Sequence, residues 1–145
     1  RLANLEKLIQ RQAREDERVK RLMKIEGIGP ISATAVVSAV GDARQFRSGR
    51  QFAAWLGLVP SQHSSGGKER LGSISKRGDK YLRTLLVHGA RAVLKHCQEK
   101  TDKRSDWLNK LLCRRNKNIA TVALANKNAR IIWAILSKGE QYQPG

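Results

Sequence analysis

The sequence predicts an all-α domain, and three observations carry that expectation. Apolar residues recur at helical spacing through most of the chain. The stretches between them are short and hold Gly, Pro, Ser and Asp, the residues that stop and start helices. Periodicity fails at length only from Ser64 to Gly78, and helical spacing returns after it. The architecture expected is a helical domain with a helix-hairpin-helix-like element, a long N-terminal helix, and a Gly/Ser loop between helices. That loop is either open or folded as a short β-hairpin. With 145 residues and 40% apolar content the chain can build one core. Only 5% of residues are aromatic, so Leu, Ile, Val and Ala must supply most of it.

Residues 2–24 read as one helix. Leu2, Leu5, Leu8, Ile9, Val19 and Leu22 form a narrow apolar stripe, thinned by Gln12, Glu15 and Asp16. Such a stripe suits a coiled-coil arm, a helix lying across another element, or a plain surface helix. From Leu22 the sequence runs into Gly27-Ile28-Gly29-Pro30 and then a small-residue helix through Val37. Two glycines permit a tight turn, Pro30 suits a first helical turn, and Ala33 and Ala35 allow close packing. The same pattern serves as a phosphate-binding hairpin, because a helix N-terminus attracts anions, or as a structural elbow.

Gly41-Asp42-Ala43 ends that helix. Ser48 is the expected N-cap of a short helix, Gly49 to Leu56, with Phe52, Ala53, Trp55 and Leu56 facing the core. After the loop, Asp79 is the expected cap of a helix reaching about Lys95, on which Gly89-Ala90 permits a close crossing. Gln98 to Arg104 reads as a polar connector and Ser105 as the cap of a helix holding Trp107, Leu108, Leu111 and Leu112. Arg114-Arg115-Asn116-Lys117-Asn118 makes a basic elbow before a helix from Ile119 to Leu136, which Gly139 stops. The tail, Glu140 to Gly145, is expected to be disordered.

Charge narrows the function classes. Lys and Arg number 29 against 12 Asp and Glu, a net +17. Such an excess favours a polyanionic partner, nucleic acid first and a membrane surface second. No run of about 18 apolar residues is present, so no membrane span is expected. No signal-peptide pattern opens the chain, and a start at Arg1 without Met leads to the expectation of a piece of a longer protein. Cys97 and Cys113 lack metal-ligand spacing and read as free thiols of a reducing cytoplasm. His88 and His96 have no partner cluster, so no metal site is expected.

The interruption itself, Ser64 to Gly78, holds four serines, four glycines and four cations. Glycines let a ligand come close to the backbone; hydroxyls and cations can meet phosphate or act as nucleophile and charge stabiliser. A solvated linker has the same composition. Leu71 and Ile74 break the polar run and should anchor part of it.

With these residues in view, the chain resembles the C-terminal part of transposases of the insertion-sequence 110/116/902 family. The resemblance rests on Gly27 to Pro30, on Phe46 followed by Arg50-Gln51-Phe52-Ala53-Ala54-Trp55-Leu56-Gly57-Leu58-Val59-Pro60, on Ser64 to Lys68, on Gly72 to Gly78, and on Tyr81-Leu82-Arg83. It implies an N-terminal RuvC-like domain with acidic ligands for Mg2+, then a coiled coil, then this domain. It implies a recombinase acting on DNA, in some members with a guide RNA, and a homo-oligomer in the full-length protein, in a bacterial or archaeal cytoplasm at the nucleoid. It also implies a serine that attacks a phosphodiester. By its distance after Pro60 that serine is Ser65, with Ser64 the alternate. Lys68, Arg70, Lys76, Arg77 and Arg83 are the expected phosphate contacts, with Gly27 and Gly29 presenting amides. No cofactor is expected within the chain itself. His63 is either a base by position or a solvated loop residue.

On this reading residues 1–24 are a helical arm, 25–139 the catalytic and DNA-binding domain, and 140–145 a tail. Two alternatives keep the charge but give the serines no chemistry: a helix-hairpin-helix module that holds nucleic acid for another domain, and an RNA-scaffold protein.

Overall fold

The computed structural model describes residues 2–58, 76–140 and 142, with backbone alone at 2, 9, 12–14 and 76–79. Every regular element among them is helical. In order they are α1 (Leu2–Glu15), α2 (Glu17–Met23), α3 (Pro30–Val40), a 3-10 turn (Ala43–Gln45), α4 (Gly49–Trp55), α5 (Lys76–His96), a second 3-10 turn (Cys97–Glu99), α6 (Lys103–Leu112) and α7 (Lys117–Lys138). The all-α expectation holds.

The centre is α7. It packs against α2, α4, α5 and α6. Its buried stripe is Ala120, Leu124, Ala125, Ala129, Ile132 and Ile135, a helical repeat in which the alanines let neighbours approach. By length and composition α7 could also cross a membrane. Asn126, Lys127, Asn128 and Arg130 interrupt its apolar surface, and its apolar stripe is the core of the domain.

Aromatic packing closes the side of α7 facing α4. Phe46, Phe52 and Trp55 are buried, with ring centroids 5.1–5.8 Å apart. Trp133 of α7 donates its indole N–H to the carbonyls of Ala43 (3.0 Å) and Phe46 (3.3 Å), tying the 3-10 turn to the core helix.

Helix ends follow local polar chemistry, and several differ from expectation. The predicted single helix over 2–24 is two helices, because Asp16 leaves the helical conformation and accepts a hydrogen bond from the Arg18 N–H at 2.9 Å. A capping carboxylate satisfies an amide that an unbroken helix would bond to a carbonyl, so the break is stable. Helix α5 begins at Lys76, which puts Asp79 inside its first turn rather than at its cap. Helix α6 is capped by Asp102, not Ser105: the Asp102 carboxylate accepts from the Ser105 N–H (3.3 Å) and from the Ser105 hydroxyl (2.7 Å). The expected connector, Gln98 to Arg104, thereby contains a 3-10 turn and the start of α6. Asn116 caps α7, which starts at Lys117, two residues before the expected Ile119. Ser48, Gly41 and Gly139 end their helices as expected. In the tail, Tyr142 packs against the core, its hydroxyl 3.5 Å from Arg104; Gln141 and residues 143–145 lie outside the described residues.

A close backbone contact joins Gly27, in the turn between α2 and α3, to Gly89, in the middle of α5. A Cβ at Gly89 would fall far inside contact distance of the Gly27 carbonyl oxygen. A Cβ at Gly27 would stand 3.0 Å from Val93 Cγ2 and 3.2 Å from the Gly89 oxygen, and Gly27 itself has φ +97. Both positions therefore require glycine, one for space and one for space and backbone conformation. Gly29, two residues on, faces open space.

Gly89→Ala should destabilise the chain by about 3 kcal/mol or more, because the clash is with backbone and cannot be relieved by a rotamer change. Gly29→Ala should change stability by less than about 1 kcal/mol. Urea unfolding of both variants checks the contrast.

Candidate functional site

The serine loop is the first candidate, and most of it lies outside the described residues. Ser64, Ser65, Lys68, Arg70 and His63 all fall within 59–75. Lys76 and Arg77 form the first turn of α5, described by backbone alone. What the structure supplies is the frame at the two ends of the loop.

The chain enters the loop through Gly57 and Leu58. Gly57 has φ +74, a left-handed end to α4 that glycine adopts without strain. Leu58 is fully buried, its N–H donating to the Ala53 carbonyl at 2.9 Å. Its own carbonyl accepts from the Asn126 side-chain amide of α7. On the other side of this exit, Arg83 of α5 lays its guanidinium over Gly57; a Cβ there would stand 2.8 Å from Nη1. Arg83 itself is exposed. So the only described phosphate-contact cation of the expected set sits at the exit from α4 into the loop. Sequence reasoning missed Asn126. Its one signal was an amide interrupting an apolar helix.

The turn from Lys24 to Gly29 is the second candidate. Ile25 and Ile28 are buried beneath it, and their N–H groups donate to Leu22 and Ile25 carbonyls at 3.0 Å each. Glu26 pairs through its side chain with Lys100, while its carbonyl accepts from Asn128 at 3.5 Å. The Glu26 carboxylate raises the Lys100 pKa above the ordinary lysine value. Gly27 is spent on packing against α5. Gly29 is different: it is exposed, it is the N-cap of α3, and no side chain caps that helix. Of the two glycines expected to offer amides, Gly29 is the one at an open, uncapped helix start.

Acidic groups do little to offset the positive field. Asp16, Glu17, Asp42 and Asp106 pair with a cation within four residues, Glu99 lies 3.9 Å from the His96 ring, Glu26 pairs with Lys100, and Asp102 caps α6. Hydrogen bonds from Arg18, Arg44 and Ser105 hold Asp16, Asp42 and Asp102 below the usual carboxylate range. These carboxylates are consumed locally, leaving a surplus of exposed Lys and Arg. Among the described residues no three His, Cys, Asp or Glu side chains gather as a metal site. Cys97 is buried and Cys113 exposed, both as free thiols.

Fold and charge together define a basic helical domain that frames a serine- and glycine-rich loop. The chain belongs to the IS116/IS110/IS902 family of transposases, whose family model matches residues 19–106. It is 66% identical over its whole length to a Pseudomonas aeruginosa protein described as a "Probable family 20 transposase", covering 43% of that protein. It is 51% identical over 99% of its length to the transposase for insertion sequence element IS1111A of Coxiella burnetii, covering 40% of it. To the transposase for insertion sequence element IS1328 of Yersinia enterocolitica it is 41% identical over 95% of its length, covering 41%. The chain thus spans about two fifths of the length of these relatives.

The open N-cap gives a prediction. Gly29→Ser places a hydroxyl where the first amides of α3 lack a partner, so stability should rise by about a few tenths of a kcal/mol. A thermal melt measures it; a lowered midpoint would mean those amides are already satisfied.

Proposed function

We propose that this chain is the part of a DNA transposase that grips DNA and supplies the serine nucleophile for cleavage and strand exchange. Membership of the transposase family carries the reading. Two features of the structure support it: the exit to the serine loop is fastened to the core helix, and Arg83 stands over that exit.

The chemistry assigned to the loop is a phosphoryl transfer. The Ser65 oxygen, with Ser64 as the alternate, bonds to a backbone phosphorus, and one phosphorus–oxygen ester bond to the DNA breaks. The hydroxyl proton passes to a base, the leaving strand end departs as a hydroxyl, and the other end remains as a phosphoserine ester. A serine hydroxyl needs activation for this. Charge spreads over the phosphoryl oxygens in the transition state, where Lys68, Arg70, Lys76, Arg77 and Arg83 are the cations proposed to stabilise it. The same residues position DNA whether or not chemistry follows. Gly29 and the first amides of α3 are proposed as a backbone-phosphate contact, with Gly27 shaping the turn; the Gly29→Ser hydroxyl would then compete with that phosphate.

Mg2+ is proposed to belong to carboxylates of an N-terminal RuvC-like domain, since among the described residues of this chain no three His, Cys, Asp or Glu side chains gather. A guide RNA, assembly into a homo-oligomer, and action on nucleoid DNA in the cytoplasm complete the reading. In this division of labour the chain alone binds nucleic acid but does not cleave it.

Replacing Ser65 by Ala in the full-length transposase tests the proposal. Strand exchange should fall to background while DNA affinity stays at the wild-type level and keeps a steep dependence on salt. Recombination at the wild-type rate by a variant with both Ser64→Ala and Ser65→Ala would reduce the chain to a binding module without a nucleophile.

A further inference from the structure

Among the described residues, Arg104 is the one with two buried side-chain nitrogens that lack a hydrogen-bond partner. Arg104, in the first turn of α6, is partly buried. Its Nη1 reaches only the Tyr142 hydroxyl, at 3.5 Å. Its Nε and Nη2 are shut off from solvent and have no hydrogen-bond partner. A buried polar group without a partner is costly, more so when charged, and each one calls for an explanation, whether a water, an ion or a ligand. The acids nearby in sequence are committed: Asp102 to Ser105, Asp106 to Lys110 at 3.2 Å.

The surroundings add charge instead of cancelling it. One turn along α6 lies Trp107, and Lys127 of α7 rests its ammonium 4.4 Å from that ring's centroid. Arg130 follows Lys127 at the next turn of α7 and is exposed. Desolvation, then the charges of Arg104 and Arg130, hold Lys127 below the ordinary lysine value. Three cations on two helices thus face one another with no carboxylate paired to any of them among the described residues. The start of α4 lies alongside: Gly49, before the exposed Arg50, packs on the Arg130 backbone, where a Cβ would meet Cα at 3.1 Å.

We infer that Arg104, Lys127 and Arg130 form a second phosphodiester-binding site on the α6–α7 face, with Trp107 holding Lys127 in place. The exposed Lys127 and Arg130 make the direct phosphate contacts, and the partly buried Arg104, whose charge no carboxylate offsets, adds to the positive field that draws the backbone to them. The ligand class is a nucleic-acid backbone: three clustered cations repel until an anion arrives, and a chain of phosphates supplies one without a folded partner. The inference rests on the proposal that this chain binds nucleic acid, and adds a contact to the loop and turn already assigned.

The test uses the whole 145-residue chain, with Arg104→Gln and Lys127→Gln variants, titrated against a fluorescent 30-nucleotide duplex over a salt series. Each variant should bind roughly tenfold more weakly near physiological salt, and the slope of log affinity against log salt should fall by about one. Lys127→Arg should keep the wild-type slope. Melting midpoints of the Gln variants should stay level or rise, since each removes a charge from a repulsive cluster. Wild-type binding with unchanged affinity and slope in both Gln variants would overturn this site alone. Failure of the wild-type chain to bind any duplex would overturn the nucleic-acid reading and this site with it. A lowered midpoint with unchanged slope would make Arg104 a packing residue and overturn the inference.

Discussion

The meeting of two glycine backbones, Gly27 and Gly89, is the constraint on which the domain's geometry depends. It seats the α2–α3 turn on the middle of α5 at a distance no side chain permits. From that contact the positions of other parts follow. Helix α3 must start beside α5, which leaves Gly29 and the helix N-terminus facing outward. Glu26 comes within reach of Lys100 and Asn128, so the turn is tied to the segment before α6 and to α7. Helix α5 carries Arg83 to the end of α4, where the loop departs. A hydrophobic core alone would tolerate sliding among these helices; backbone packed on backbone does not.

Much of this was legible in the residues and some was not, for identifiable reasons. Helical class came through because Leu, Ile, Val and Ala repeat cleanly in α5 and α7. Ends marked by glycine came through as well: Gly41 and Gly139 have positive φ, which other residues avoid. Ends marked by Asp or Ser were harder, since several candidates compete. Asp102 outdid Ser105 three residues on, and Asp16 broke a helix whose apolar stripe suggested continuity. Asp79 was read as a cap from its place before a periodic run, but α5 starts at Lys76 and Asp79 lies in its first turn, where the helix dipole also favours a carboxylate.

Partnerships across the chain were beyond reach of spacing. Nothing local to Gly27 points to Gly89, and nothing local to Gly57 points to Arg83. The composition of the stretch from Ser64 to Gly78 made it a candidate place for chemistry, and the family resemblance pointed to Ser65 as the expected nucleophile, but Asn126 and Arg104 emerged only from three-dimensional packing. Asn126 belongs to a helix that periodicity read as scaffold, and Arg104 to a stretch read as a polar connector. That is the physical reason binding residues hide in such domains: a polar atom aimed at a partner and a polar atom aimed at solvent look the same in a helical pattern.

The account as a whole holds that a positively charged helical frame, locked by the glycine contact, delivers a loop hydroxyl to a DNA backbone. The most direct measurement is to let the full-length transposase react with DNA, stop the reaction with denaturant, digest protein and DNA, and sequence the surviving peptide–nucleotide conjugate by mass spectrometry. The account predicts a nucleotide phosphate esterified to Ser65. A conjugate at a residue outside the Ser64–Gly78 loop, or recombination with no conjugate at any stage, would contradict it.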